Sequence, residues 1–115
     1  MDFGVWGPEG ELGPAGVAVI GASGELDIGS VPILEGVLAP AVSAGGQVIL
    51  DGTDLMFTDS TGVTLFVRAH RDAMEAGGRL DLVLVEKAVL RVLELAGLIG
   101  VLNVHASVDL ARRAC

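Results

Sequence analysis

A chain of 115 residues has room for one compact domain and not for two of ordinary size, and 51% hydrophobic against 19% charged residues argues against global disorder. Aromatic residues make up only 3%, so Val, Leu, Ile and Ala must fill the core. Fifteen acidic residues against seven basic ones give a net charge of -8, and no basic run is longer than Arg112-Arg113; such a surface repels a phosphate backbone, argues against direct nucleic-acid binding and suits a basic protein partner better.

One cysteine, Cys115, stands at the end of the chain, expected in solvent, where it can form neither an intrachain disulfide nor a thiolate metal cluster. No basic segment followed by an apolar run opens the chain, and no stretch approaches the roughly 20 apolar residues of a membrane span. The expected compartment is therefore the cytoplasm, with no membrane partner.

Residues 1–16, rich in Gly, Pro and Glu, read as an irregular lead-in or a short edge strand, ahead of a single domain over 17–112 and a tail at 113–115. Val17-Ala18-Val19-Ile20 is β-branched and apolar, a strand pattern. Gly24-Glu25-Leu26-Asp27 turns the chain toward Val31, Leu34, Val37, Leu38 and Ala41, whose spacing predicts a helix. Pro32 fits its first turn, and Pro40 is expected to bend or end it.

Gly45-Gly46 breaks the chain before Val48-Ile49-Leu50, a short buried strand end. A polar crossing follows at Asp51-Gly52-Thr53-Asp54, and then the apolar Leu55-Met56-Phe57. Val63, Phe66, Val67, His70 and Met74 recur at three-and-four spacing and predict an amphipathic helix over 61–76, closed by Gly77-Gly78. Residues 80–85 read as a strand, Val89, Leu90, Leu93 and Ala96 as a helix ended by Gly97, and Ile99 to Leu102 as a short final strand. Ser107 caps a last helix through Ala111, with Asp109 well placed in its first turn. Helices separating strands imply an α/β fold, a mixed and partly parallel sheet packed against helices.

The chemistry concentrates in Asp59-Ser60-Thr61-Gly62. Ser60 falls at the N-cap or in the first turn of a helix, where free N–H groups and the positive helix end favour a hydroxyl and would favour a phosphate more. Position leaves it either a simple cap or a modified switch, and does not say whether Ser60 or Thr61 faces solvent. Asp59 could orient Ser60, accept a helix N–H, or take part in phosphate chemistry supplied by another protein.

Hydrolysis has weaker support. A nucleophilic serine needs a base, and neither His70, on the apolar helix stripe, nor His105 carries a local signature that places it there. Asp51, Asp54 and Asp59 match no EF-hand spacing, and "GASG" (Gly21 to Gly24) lacks the spacing of a nucleotide loop. "DSTG" departs from the D-[ST]-G centre of acid proteases, since Ser60 and Thr61 both precede Gly62, and helical patterns flank it.

The order of "GELD" (Gly24 to Asp27), "VILDGTDLMFTDSTG" (Val48 to Gly62), "AGGRLDLVLV" (Ala76 to Val85) and "LRVLELAGL" (Leu90 to Leu98) resembles the STAS family of bacterial anti-sigma factor antagonists. The resemblance covers residues 17–112. It implies a binding module in a partner-switching circuit, with Ser60 as the residue that an anti-sigma factor with serine kinase activity phosphorylates. Unmodified, the chain would occupy the anti-sigma factor and free a sigma factor; phosphorylated, it would let go, and a phosphatase would restore it.

The resemblance also implies that Asp27 shapes the surface beside the phosphorylation loop, that Asp59 and Thr61 flank the modified residue, and that Gly62 permits close approach at the helix start. The chain would be a kinase substrate and not an enzyme, with no cofactor or metal of its own. Gly52 replaces the hydrophobic residue usual in the family and Asp54 an apolar or small one, departures that would alter partner choice or weaken loop packing. The alternatives are a nonphosphorylated STAS module that recruits proteins or senses a small ligand, and a small acid hydrolase.

Overall fold

A computed structural model describes residues 2–114; Met1 and Cys115, and with it the expectation of a solvated cysteine, lie outside the described residues. The elements in chain order are β1 (Gly4–Gly10), β2 (Val17–Leu26), α1 (Val31–Ser43), β3 (Gln47–Thr58), α2 (Ser60–Glu75), β4 (Arg79–Leu84), α3 (Lys87–Leu95), β5 (Asn103–His105) and α4 (Val108–Arg113). The sheet runs β1-β2-β3-β4-β5. The β1 edge strand pairs antiparallel with β2, and the remaining pairs are parallel, as crossover helices require.

Strand side chains alternate between two faces, and here both faces are covered. Register places Ile20 beside Leu50 and Leu50 beside Leu82. These pack with Leu34 and Leu38 of α1, Phe66 of α2 and Leu93 of α3, all buried. The alternate positions Val19, Ile49 and Val83 form a smaller cluster with Ala111 of α4. Burial on both faces explains why the strand cores read as unbroken aliphatic runs.

Beneath α4 lies a buried polar cluster. Arg79 donates to Asp81 through Nε (2.8 Å) and Nη2 (2.7 Å), while Gln47 Nε2 donates at 3.0 Å and His105 Nε2 lies 2.8 Å from Oδ1. Gln47 Nε2 also donates to the Ala111 carbonyl and Arg79 Nη1 to that of Ala114, so the cluster fastens α4 to the sheet. Burial by itself would raise the pKa of the Asp81 carboxyl. The hydrogen bonds from Arg79, Gln47 and His105, with the Arg79 charge, outweigh burial and hold it below the ordinary value.

Several expectations need correction. The chain does not turn at "GELD": β2 continues to Leu26, absorbing Gly24 at positive φ where the register with β3 shifts. Nor does β3 stop at Leu50; it runs through the polar letters to Thr58. Gly52 is buried within it, and a Cβ there would stand 2.8 Å from the Leu84 side chain and 2.9 Å from the Val83 carbonyl. The departure at Gly52 is thus one that the close approach of β4 requires. Asp54 is exposed and pairs with Ser23.

Helix α1 continues past Pro40 to Ser43, because Pro40 lies on the exposed side where water can serve the Gly36 carbonyl. Met74, expected on the buried stripe of α2, is 61% exposed; Ala69 and Ala73 hold that face, and His70 is half-buried. Ile99 to Leu102 is a turn around Gly100, at positive φ, closed by one bridge, and the last strand starts at Asn103. Helix α4 extends to Arg113, where Arg112 and Arg113 complement its C-terminal dipole.

Asp81→Ala should lower stability by about 2 kcal/mol in urea denaturation, because it removes the charge-assisted hydrogen bonds that Arg79, half-buried, and the buried Gln47 amide make to this carboxylate. The Asp81 pKa is lower folded than unfolded, so its contribution is present above the unfolded value and fades as pH falls through the folded one. The gap between wild type and Asp81→Asn should therefore narrow below about pH 4.

Candidate functional site

The end of β3 and the start of α2 form one continuous corner. Thr58 is buried, and the Asp59 backbone N–H donates to the Leu26 carbonyl at 3.2 Å, tying this corner to the end of β2. Asp59 takes an extended conformation and caps α2: its Oδ1 accepts from the N–H of Thr61 at 2.9 Å and of Gly62 at 3.3 Å, and from the Thr61 hydroxyl. The Thr61 hydroxyl contributes most to holding the Asp59 carboxyl below its ordinary pKa, against the opposing effect of burial; backbone N–H groups of Gly62, Thr61 and Ile28 add to it. Asp59 is an ionised N-cap.

Ser60 is therefore not the cap. It is the first residue of the helix, exposed, and its hydroxyl has no hydrogen bond among the described residues. The Ser60 carbonyl accepts from the Thr64 hydroxyl at 2.9 Å, one turn on. Of two adjacent hydroxyls, Thr61 is committed to Asp59 and Ser60 faces solvent.

Gly62 is buried, and a Cβ on it would lie 2.0 Å from Thr58 Oγ1 and 3.0 Å from the Leu26 side chain. Close packing, rather than an unusual backbone angle, requires glycine here. Any side chain would push the first turn of α2 off the two strand ends.

Asp27 organises the neighbouring loop. Its Oδ1 accepts from the N–H of Gly29 (3.0 Å) and of Ser30 (3.2 Å), while the Ser30 hydroxyl donates to the Glu25 carbonyl and accepts from the Asp27 N–H. The loop leads into α1 and presents Ile28, 76% exposed, beside the Asp59 cap. The structure thus brings Asp27, Asp59, Ser60, Thr61 and Gly62 to one end of the sheet. None of the hydrogen bonds of Asp27 reaches Ser60.

Sequence reasoning missed the surroundings of the serine. Ile28, Val31, Pro32, Thr61, Thr64 and Arg68 line a depression of about 310 Å³ between α1 and α2. Arg68 is paired with Glu35 across the same helices at 3.1 Å. Ile33, Met56 and Phe57 are also exposed. The available signal was the spacing of Thr64 and Arg68, four and eight residues beyond Ser60, which places them along one side of a helix.

The histidines are elsewhere. His70 lies ten residues along α2 from Ser60, about 15 Å of helix, and His105 is bonded to Asp81 beneath α4. Asp51 accepts from the N–H and hydroxyl of Thr53. Among the described residues no three His, Cys, Asp or Glu side chains gather as a metal site. A serine without a base is a poor nucleophile, but an exposed hydroxyl on a helix N-terminus can accept a phosphoryl group from another protein.

Residues 13–111 match the family model of the STAS domain. The chain is 28% identical over 87 residues to the anti-sigma-B factor antagonist of Bacillus subtilis (strain 168), covering 76% of this chain and 80% of that protein. Among solved structures, an anti-sigma factor antagonist from Mycobacterium paratuberculosis superposes with a TM-score of 0.82 at 22% identity, over 98% of this chain and 93% of the other. The anti-sigma factor antagonist SpoIIAA in its unphosphorylated form gives 0.72 at 25% identity over 92% and 94%. The Bacillus SpoIIAA in its phosphorylated form gives 0.66 at 24% over 93% and 98%.

In urea denaturation Gly62→Ala should cost about 2 kcal/mol by overpacking against Leu26 and Thr58, and Asp59→Ala about 1 kcal/mol by loss of the cap. The Asp59 contribution should be present above about pH 4 and fade as pH falls through its lowered folded pKa.

Proposed function

Since the chain belongs to the STAS domain family, we propose that it is an anti-sigma factor antagonist, binding an anti-sigma factor when unmodified and releasing it when Ser60 is phosphorylated. The observation that carries this reading is the division of labour at the start of α2. Asp59 and Thr61 satisfy the helix end between them, and the Ser60 hydroxyl is exposed with no internal partner.

A phosphate on Ser60 would bring about 1.5 to 2 negative charges. The helix N-terminus would stabilise it within the chain. Toward a partner it acts differently: it adds charge beside the ionised Asp59 and near Ile28, an exposed apolar side chain well suited to a dry contact. Desolvating that charge at an interface is costly unless the partner supplies a matching cation, so the modified face loses its partner.

In this circuit ATP and magnesium belong to the partner, an anti-sigma factor with serine kinase activity, and the chain is its substrate rather than an enzyme. A phosphatase resets it. Transcription is regulated through the sigma factor that the partner releases, with no contact between this chain and nucleic acid. No helix among the described residues is long and apolar enough to cross a membrane, and the cytoplasm is where such a circuit would operate.

Incubation of the purified protein with ATP, magnesium and host lysate should add a single phosphate, localised to Ser60 by mass spectrometry and missing from Ser60→Ala. Equal labelling of the two proteins would overturn the assignment, and no labelling where a known substrate is phosphorylated would make the chain a constitutive binding module. Ser60→Ala should retain affinity for the unmodified protein's partner. Ser60→Asp should bind about tenfold more weakly, and unchanged affinity by calorimetry would remove electrostatics as the basis of release.

A further inference from the structure

Strand β3 outruns one of its neighbours. Its pairing with β4 ends at Gly52, opposite Leu84, where the chain leaves the sheet for α3, whereas its pairing with β2 continues to Thr58. Residues 53–58, roughly 20 Å of strand, therefore have β2 on one side and no strand on the other. Alternate residues of a strand turn N–H and C=O to the same side, so part of this segment holds unpaired backbone groups toward the vacant side. The Thr53 N–H is taken by Asp51 Oδ1 at 3.1 Å. From Asp54 to Phe57 no backbone group bonds to an element other than β2 among the described residues.

The side chains leave this edge open. Leu55 is buried in the core, while Thr53, Asp54, Met56 and Phe57 are exposed, the last two at 40% and 43%. Sheet edges are commonly blunted with lysine or proline, and this one carries neither. The register with β2 shifts between Gly21 and Ser23 and again between Gly24 and Glu25, which twists this end. Twist disfavours long sheet-to-sheet stacking but admits one short strand.

Charge selects the occupant. Residues 1–67, which comprise β1, β2, α1, β3 and the first half of α2, contain nine acidic residues and no lysine or arginine; all seven basic residues stand at Arg68 or beyond. The open edge lies in this half, with Asp54 on it, Asp51 just before it and Asp59 just after. A second copy would bring the same carboxylates to the contact, and like charges across paired strands destabilise. We propose that the free edge of β3 takes an extended segment of a basic protein partner, lysine or arginine alternating with apolar residues, added to the sheet as a further strand. Its backbone pairs with residues 54–57, its cations meet Asp54 and the surrounding acidic field, and its apolar side chains cover Met56 and Phe57. The inference does not rest on the reading of Ser60, and its test uses the unmodified chain.

The probe is a hexapeptide of alternating lysine and valine, blocked at both ends, titrated into the full chain and followed by ¹H–¹⁵N NMR. It should shift the amide signals of Asp54, Leu55, Met56 and Phe57, and a hexapeptide of alternating glutamate and valine should not. An added strand pairs through one of its edges only, so of two versions of the probe, N-methylated on the lysines or on the valines, one should lose binding and the other retain it. Asp54→Lys, which replaces an attraction with a repulsion at an exposed position, should weaken binding of the probe about fivefold. The proposal is overturned by absence of these shifts at millimolar probe, by equal binding of the glutamate peptide, by equal effects of the two methylations, or by unchanged affinity in Asp54→Lys.

Discussion

The corner at Gly62 is the constraint on which the site depends. Leu26 and Thr58, at the ends of two neighbouring parallel strands, leave no space for a side chain where α2 begins. That contact sets where the helix starts and which of four consecutive residues caps it. With Asp59 held by the Leu26 carbonyl and closed over the N–H groups of Thr61 and Gly62, Ser60 is forced to the outside of the first turn. The exposure of one hydroxyl thus follows from the absence of a methyl group two residues later.

The two ends of the sheet differ in how they are held. At the end near Ser60, local hydrogen bonds within the Asp27 and Asp59 loops do most of the shaping. At the other, side chains distant in sequence converge: Gln47, Arg79, Asp81 and His105 form a single cluster that fastens a six-residue helix too short to bury much apolar surface by itself. The three larger helices cover the opposite face with an aliphatic core. Ionic and polar anchoring compensates on the side where hydrophobic area is scarce.

Much of this was legible in the residues. Periodicity and glycine breaks delimit α2, β4 and α3 closely, because their apolar spacing comes from one-sided or complete burial. The tetrapeptide at Ser60 was also visible, as was the assignment of Gly62 to a close approach. What the chain order could not reveal is tertiary in origin. Asp51 to Asp54 read as a polar crossing after a short strand end until β4 is seen against Gly52. Asp59 and Ser60 are both good capping residues, and only the contact at Gly62 selects between them. Asp81 reads as an ordinary polar strand position, since two of its partners come from 34 and 24 residues away.

Because Ser60 belongs to a hydrogen-bonded helix and is not carried on a free loop, an enzyme acting there meets a shape and not a string of letters. A peptide with the same residues would lack the Leu26 contact, the cap and the fixed orientation of the hydroxyl. If Ser60 is modified as proposed, recognition and folding are thereby coupled: a misfolded copy would be invisible to the modifying enzyme, and a core substitution far from the serine that loosens α2 would act as a signalling mutation. The domain would then carry its own check that only an intact copy enters the proposed circuit.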